Sequence, residues 1–198
     1  MGKLSIRQAD AARDAQAILR VYAPYIENTA ITFETDVPDA HSFERRVAEI
    51  AGPFPYLVLE EDGEIIGYAY AHRQAERAAF AWNAELSVYM KEDVRGRGLG
   101  RPLYALLMRL LEMQGYVNFY AVITGSNAGS IAMHEKMGFV RCGHHRHTGW
   151  KFDQWHDTVW LCRRGQEGAP GEIVRFDMLE RSAVEREIET TLAVMRRA

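Results

Sequence analysis

The apolar positions change period along the chain, and each change marks a new element. Leu4 to Gln8 alternates in and out as a strand does, and Ile18, Leu19, Tyr22 and Tyr25 then recur at helical spacing behind Asp14, a candidate N-cap. Ser42 to Ile50 repeats the helical pattern over a shorter stretch. Tyr56 to Glu60 and Ile65 to Tyr70 read as strands, and the Asp62-Gly63 pair between them predicts a tight hairpin. A third apolar run, from Phe80 to Met90, reads as another strand. Leu99, Leu103, Leu106, Leu107, Leu110 and Leu111 then define a long helix that ends near Gly115. Phe119 to Thr124 is a strand and Ser130 to Met137 a helix, with two strands expected near Phe139 to His144 and Thr158 to Cys162. The order β, α, α, β, β, β, α, β, α, β, β predicts an α/β domain, a mixed sheet with helices on its faces. It contains no internal repeat.

The pattern breaks at Gly165-Gln166-Glu167-Gly168-Ala169-Pro170-Gly171, whose composition is that of a linker. Beyond it, Phe176, Leu179, Val184, Ile188, Leu192 and Met195 form an apolar set among many Arg and Glu residues. That predicts a helix docked on the domain or on a second subunit. The expected division is therefore a domain over 1–164 and a linker with a helical tail over 165–198.

Composition narrows the function classes. With 198 residues, 47% hydrophobic and 26% charged, the chain can bury one sizeable core. A net charge of −3 gives no basic footprint for nucleic acid and no positive face for an anionic membrane. No apolar run approaches the roughly 18 residues needed to span a bilayer. Met1 to Ile6 lacks the apolar core of a secretion signal, so a cytoplasmic protein is expected. Two cysteines, Cys142 and Cys162, are too few for a disulfide framework and lack metal-site spacing. The run from Cys142 to His147 fits no standard zinc motif, because strand alternation would put His144 and His145 on opposite faces. No metal is expected.

Candidate chemistry concentrates at Arg95-Gly96-Arg97-Gly98-Leu99-Gly100-Arg101, between the third strand and the long helix. Glycines at 96, 98 and 100 let main-chain amides converge on a phosphate, the helix N-terminus favours an anion, and Arg95, Arg97 and Arg101 add positive charge. Pro102 suits a first helical turn. A nucleoside-triphosphate loop would require Lys-Ser/Thr after the last glycine, where Arg101-Pro102 stands. A dinucleotide loop would require glycine in place of Arg101.

The Arg-x-x-Gly-x-Gly form resembles the coenzyme A pyrophosphate loop of the GCN5-related N-acetyltransferase (GNAT) superfamily. A second segment, Asn127 to Phe139, is similar to that superfamily's Asn-x-x-(Ala/Ser)-x-x-x-(Tyr/His)-x-x-x-Gly-Phe helix. Within the superfamily the chain looks most like the phosphinothricin and methionine sulfoximine N-acetyltransferase branch. Thr32-Phe33-Glu34, Trp82 to Tyr89, Met133-His134-Glu135 and Trp155-His156-Asp157 carry that likeness across roughly residues 3 to 163. Ala75, Phe80 and Lys91-Glu92 depart from the branch's usual residues.

The resemblance implies a GNAT fold, a mostly antiparallel sheet whose splayed strands form an acetyl-CoA cleft. It also implies direct acetyl transfer to the amino group of a small amino acid or analogue, commonly in a homodimer. Such a reaction needs a base for the ammonium proton and a partner for the departing thiolate. The resemblance assigns Glu85 as the base and His134 as the proton carrier. The pyrophosphate would lie on Arg95, Gly96, Arg97, Gly98, Gly100 and Arg101, and the pantetheine arm along the main chain of Val88 and Met90 and against Asn127 and Ser130. Phe33, Arg73, Arg77 and Phe80 are candidates for the acceptor. The segment from Ala71 to Trp82 carries His72, Arg73 and Arg77 against only Glu76, which favours an acidic acceptor. An aminoglycoside, a polyamine, a peptide N-terminus and a non-catalytic acyl-CoA-binding role stay open.

Overall fold

In the computed structural model of the chain, residues 2–165 and 168–197 are described. Gln166 and Glu167 of the predicted linker lie outside them. Seven strands form one sheet in the order β1-β2-β3-β4-β5-β7-β6. They are β1 (Leu4–Gln8), β2 (Tyr56–Glu61), β3 (Glu64–Arg73), β4 (Asn83–Met90), β5 (Asn118–Thr124), β6 (Val140–Lys151) and β7 (Gln154–Arg164). Every neighbouring pair is antiparallel except β4–β5.

That parallel pair defines the molecule. It holds for three steps only, Asn83↔Asn118, Ala84↔Phe119 and Glu85↔Tyr120, after which the two strands part. Asn118 Nδ2 donates to Asn83 Oδ1 at 2.9 Å and ties the closed end. The splayed strands expected from the resemblance are therefore present, with Glu85 at the point of divergence.

The helices α1 (Ala11–Asn28) and α2 (Ala40–Ala51) cover one face, burying Ile18, Tyr22, Tyr25, Phe43 and Val47 against Tyr56, Val58 and Tyr68. The other face carries α3 (Gly100–Gln114) and α4 (Ala128–Lys136). There the predicted leucine stripe of α3 is buried with Leu57, Leu59 and Leu86. Gly115, at φ 98°, ends α3 in the left-handed conformation that glycine adopts without strain.

Local chemistry corrects several boundaries. The cap of α1 is Asp10, whose carboxylate accepts from the Arg13 N–H, and not Asp14. Asp14 lies inside the helix and is buried, paired with Arg7 and Arg13. Burial alone would raise its pKa, but hydrogen bonds from both guanidiniums and the Asp10 amide hold it well below the usual carboxylate range. The last two strands run much longer than their apolar cores. They form a hairpin whose turn, Phe152-Asp153, has both residues at positive φ.

After Gly171 the tail makes a short 3-10 turn at Phe176–Met178 and ends in α5 (Arg181–Met195), on α3 and β1 of its own chain. Leu192 and Met195 enter the core, Arg109 donates to Glu187 (2.6 Å) and Thr191 (2.7 Å), and Gln114 bridges the Pro53 and Val174 carbonyls.

Candidate active site

A cavity of about 620 Å³ opens where β4 and β5 part. Leu86 to Met90 form one wall and Ala121 to Ile123 the other. The glycine loop closes one end, and Asn127, Gly129, Ser130, Met133 and His134 of the α4 segment border it.

Two-residue periodicity decides which main-chain groups face this gap. The Lys91 N–H bonds Ile66 O on β3, so alternate residues Met90, Val88 and Leu86 turn theirs the other way, toward the missing strand. At Met90 those groups are already engaged: its carbonyl accepts from the Tyr25 hydroxyl at 2.6 Å and its N–H reaches the same oxygen at 3.2 Å. The open edge is thus at Val88 and Leu86, while the Met90 main chain, expected to share in it, is occupied by Tyr25.

At the loop, Gly96 (φ 80°) and Gly98 (φ 77°) are left-handed, a conformation that L side chains rarely adopt. The first helical hydrogen bond here runs from Leu103 N–H to Leu99 O, so the amides of residues 98 to 101 precede the helical ladder. Arg95 and Arg101 border the cavity. Arg95 is held there by Tyr25, its guanidinium 4.5 Å from the ring centroid. Arg97 is not with them. Its guanidinium makes a two-pronged pair with Glu61, at 2.8 and 2.7 Å, and is turned away from the loop.

These features fit a coenzyme A thioester. A left-handed glycine pair with open amides suits a pyrophosphate, and an unpaired strand edge suits the amides of an extended arm. Asn127 supports the same end of the cavity by capping α4, its Oδ1 accepting from the Ser130 N–H at 3.1 Å.

His134 is buried, and both of its ring nitrogens are engaged. Nδ1 lies 2.8 Å from the Ser130 carbonyl and Nε2 lies 3.0 Å from the Tyr104 hydroxyl. A carbonyl only accepts, so Nδ1 carries the hydrogen. Burial, partly offset by that bond, lowers the His134 pKa, so the ring is neutral and Nε2 accepts from Tyr104. Tyr104 was absent from the sequence-derived candidates, hidden among the leucines of α3 at the same helical spacing.

Glu85 points to the opposite face, toward α1. Burial raises its pKa, and the positive charge of His72 pulls it partly back. The face around it is tyrosine-rich, with Tyr70 stacked on Tyr56 and Tyr68, and Tyr89 on Tyr68.

The acceptor candidates are dispersed. Phe33 packs on Gly149 of the β6–β7 hairpin, where an added Cβ would lie 2.3 Å from the ring, so only glycine permits this approach. Arg73 follows His72 on β3 and therefore turns to the other sheet face, near Tyr116. Arg77 and Phe80 are exposed on the segment preceding β4. None of these four lines the cavity. Among the described residues, no cluster of three or more His, Cys, Asp or Glu side chains could hold a metal.

Residues 6–160 match the family model described as an acetyltransferase (GNAT) domain. The chain belongs to the GNAT acetyltransferase family. This acetyltransferase is 37% identical over 153 residues to a phosphinothricin N-acetyltransferase from Alcaligenes faecalis, covering 76% of the chain and 77% of that protein. It is 35% identical over 159 residues to the L-methionine sulfoximine/L-methionine sulfone acetyltransferase of Pseudomonas paraeruginosa, covering 79% and 92%. Among solved structures, a GNAT superfamily phosphinothricin acetyltransferase from Sinorhizobium meliloti in complex with acetyl-CoA superposes with a TM-score of 0.81 at 33% identity. That match covers 89% of this chain and 97% of the other.

Proposed function

We propose that this acetyltransferase moves the acetyl group of acetyl-CoA directly onto the amino group of a small amino acid analogue of the phosphinothricin, methionine sulfoximine or methionine sulfone type. The observation that carries this reading is the position of Glu85. It stands where β4 and β5 part, on the face opposite the cavity, so a nucleophile arriving from that face would meet a base beside the thioester.

In this reading the pyrophosphate rests on the amides around Gly96, Gly98 and Gly100 with Arg95 and Arg101, while the arm runs along Val88 and Leu86 past Asn127 and Ser130. Glu85, made more basic by burial, takes the ammonium proton, directly or through water. His134, which borders the cavity, is the proton carrier for the leaving thiolate in this reading. Phe33, Arg77 and Phe80 form the rim that meets the acceptor. Residues 1–164 are the catalytic unit, and 165–198 a linker and helical tail that brace it.

We also infer a homodimer, because the β6–β7 hairpin exposes Trp150 and Trp155 as a cross-strand pair with ring centroids 5.3 Å apart. Sedimentation should give twice the chain mass, and Trp155→Ala should reduce it. The cytoplasm suits the two free thiols, Cys142 and Cys162.

The test is thiol release from acetyl-CoA with phosphinothricin, methionine sulfoximine, methionine sulfone, the common amino acids, a polyamine and an aminoglycoside. Turnover confined to the amino acid analogues is expected. Turnover with only the cationic amines would overturn the acceptor class, and coenzyme binding without thiol release from any of them would favour a binding module.

A further inference from the structure

His72 was noted in the sequence only as one more positive charge, yet the register of β3 and β4 sets it directly across from Glu85. Residues opposite each other in an antiparallel pair share a face, and His72 Nε2 lies 3.9 Å from Glu85 Oε1. The other ring nitrogen fixes the tautomer. Nδ1 is 2.8 Å from the Arg73 carbonyl, which can only accept, so Nδ1 carries the hydrogen. In the neutral ring Nε2 therefore presents its lone pair toward Glu85. Exposure also differs across the pair, 39% for the His72 side chain against 23% for Glu85. One partner stands nearer the reacting atoms and the other nearer water.

The surroundings leave this pair isolated. Tyr70 faces it from β3, its ring centroid 6.1 Å from that of His72, and Tyr104 of α3 lies within electrostatic range of Glu85. Tyr120 of β5 stands opposite Glu85 in the ladder. All three are neutral hydroxyls at working pH. Glu34 and Arg46, the charged side chains that act on Tyr70 besides Glu85, are paired with each other at 2.6 Å.

We propose that His72 is the positioning residue of the base, accepting from Glu85 the proton that Glu85 takes from the substrate ammonium and handing it to solvent. The inference rests on the reading of Glu85 as base. The steps balance. The R–NH3⁺ proton passes to a Glu85 oxygen, leaving the amine lone pair free to attack the thioester. Side-chain rotation closes the 3.9 Å gap to hydrogen-bond distance, and the carboxylic acid then protonates His72 Nε2, giving imidazolium beside carboxylate. Water or buffer removes the Nε2 proton and both groups return to their starting forms. Imidazole suits this task because it changes charge near neutrality. Without His72, the Glu85 carboxyl, the less exposed of the two, must return its proton to water directly.

The experiment compares His72→Asn, His72→Gln and Glu85→Gln in the full chain. It uses acetyl-CoA with phosphinothricin, or with whichever amine the thiol-release panel identifies. Acetyl-CoA affinity is measured separately by calorimetry. Both His72 variants are expected to bind acetyl-CoA as the parent does and to lose about tenfold in kcat. The acid limb of kcat/KM should move to higher pH, because the imidazolium form of His72 lowers the Glu85 pKa and the variants lose that effect. Added imidazole should restore much of the lost turnover, which it would not do for a packing defect. If Glu85→Gln is inactive while both His72 variants keep the parent rate and pH profile, the relay is overturned and the base assignment stands. If Glu85→Gln keeps the parent rate, the base assignment fails and the relay fails with it.

Discussion

The two sides of the cleft are built differently. The proposed coenzyme side comes from two short contiguous stretches, residues 95–101 and 127–134, each joined to a helix start whose main-chain groups are open to a ligand. The proposed acceptor side draws on scattered pieces: Phe33 after α1, His72 on β3, Arg77 and Phe80 before β4, and Glu85 on β4. Main-chain recognition depends on φ and on local hydrogen bonding, so it leaves a compact mark of glycines and caps. Side-chain recognition depends on which strands lie side by side, and it leaves no such mark.

Variants can break this contrast in order of expected effect. Glu85→Gln should lower kcat by about a thousandfold while acetyl-CoA affinity by calorimetry stays within twofold, since the amide cannot take a proton. In the unmodified enzyme, turnover should fall as pH drops through the Glu85 pKa, which burial sets above the ordinary glutamate value. A pH profile flat down to the ordinary carboxylate range would contradict that. Gly98→Val should weaken acetyl-CoA binding by about a hundredfold, because a β-branched residue at φ 77° costs roughly 1–3 kcal/mol and displaces the loop amides. An unchanged dissociation constant would remove the loop from the coenzyme site.

Asn127→Ala takes away the α4 cap, worth about 1 kcal/mol, and should weaken coenzyme binding roughly fivefold with little change in acceptor KM. The smallest effect belongs to Arg73→Ala, which should change acceptor KM by less than about twofold as a surface substitution on the far face. A tenfold rise would return Arg73 to the acceptor side.

What the sequence could and could not disclose follows the same line. The leucine spacing of α3 and the Asp62-Gly63 turn were legible because their periods are local. The cap of α1 was misread. Asp10 and Asp14 are the same residue type, and it takes Arg7, arriving from β1 beside Arg13, to make Asp14 an internal ion-pair partner. Arg97 was expected at the phosphate, since nothing in the loop reveals that Glu61 of β2 stands within reach. The hairpin of β6 and β7 was drawn too short, because much of it is exposed and its polar residues carry no apolar alternation. The tail's apolar set was visible, but its docking on α3 depended on the position of Arg109.

By itself the sequence determined the order of elements, the glycine loop at a helix start, the capped α4 and, through its likeness to a family, the class of chemistry. Each rests on interactions spanning a few residues, so each is written in spacing and residue type. Tertiary structure alone decided that β4 and β5 part after Glu85, that Tyr25 occupies the Met90 main chain, that Tyr104 meets His134, and that His72 faces Glu85 while Arg73 turns away. Those outcomes depend on strand register and on the packing of α1 and α3 across the sheet. A shift of one residue would reverse every side chain, and only the folded core fixes which register is kept.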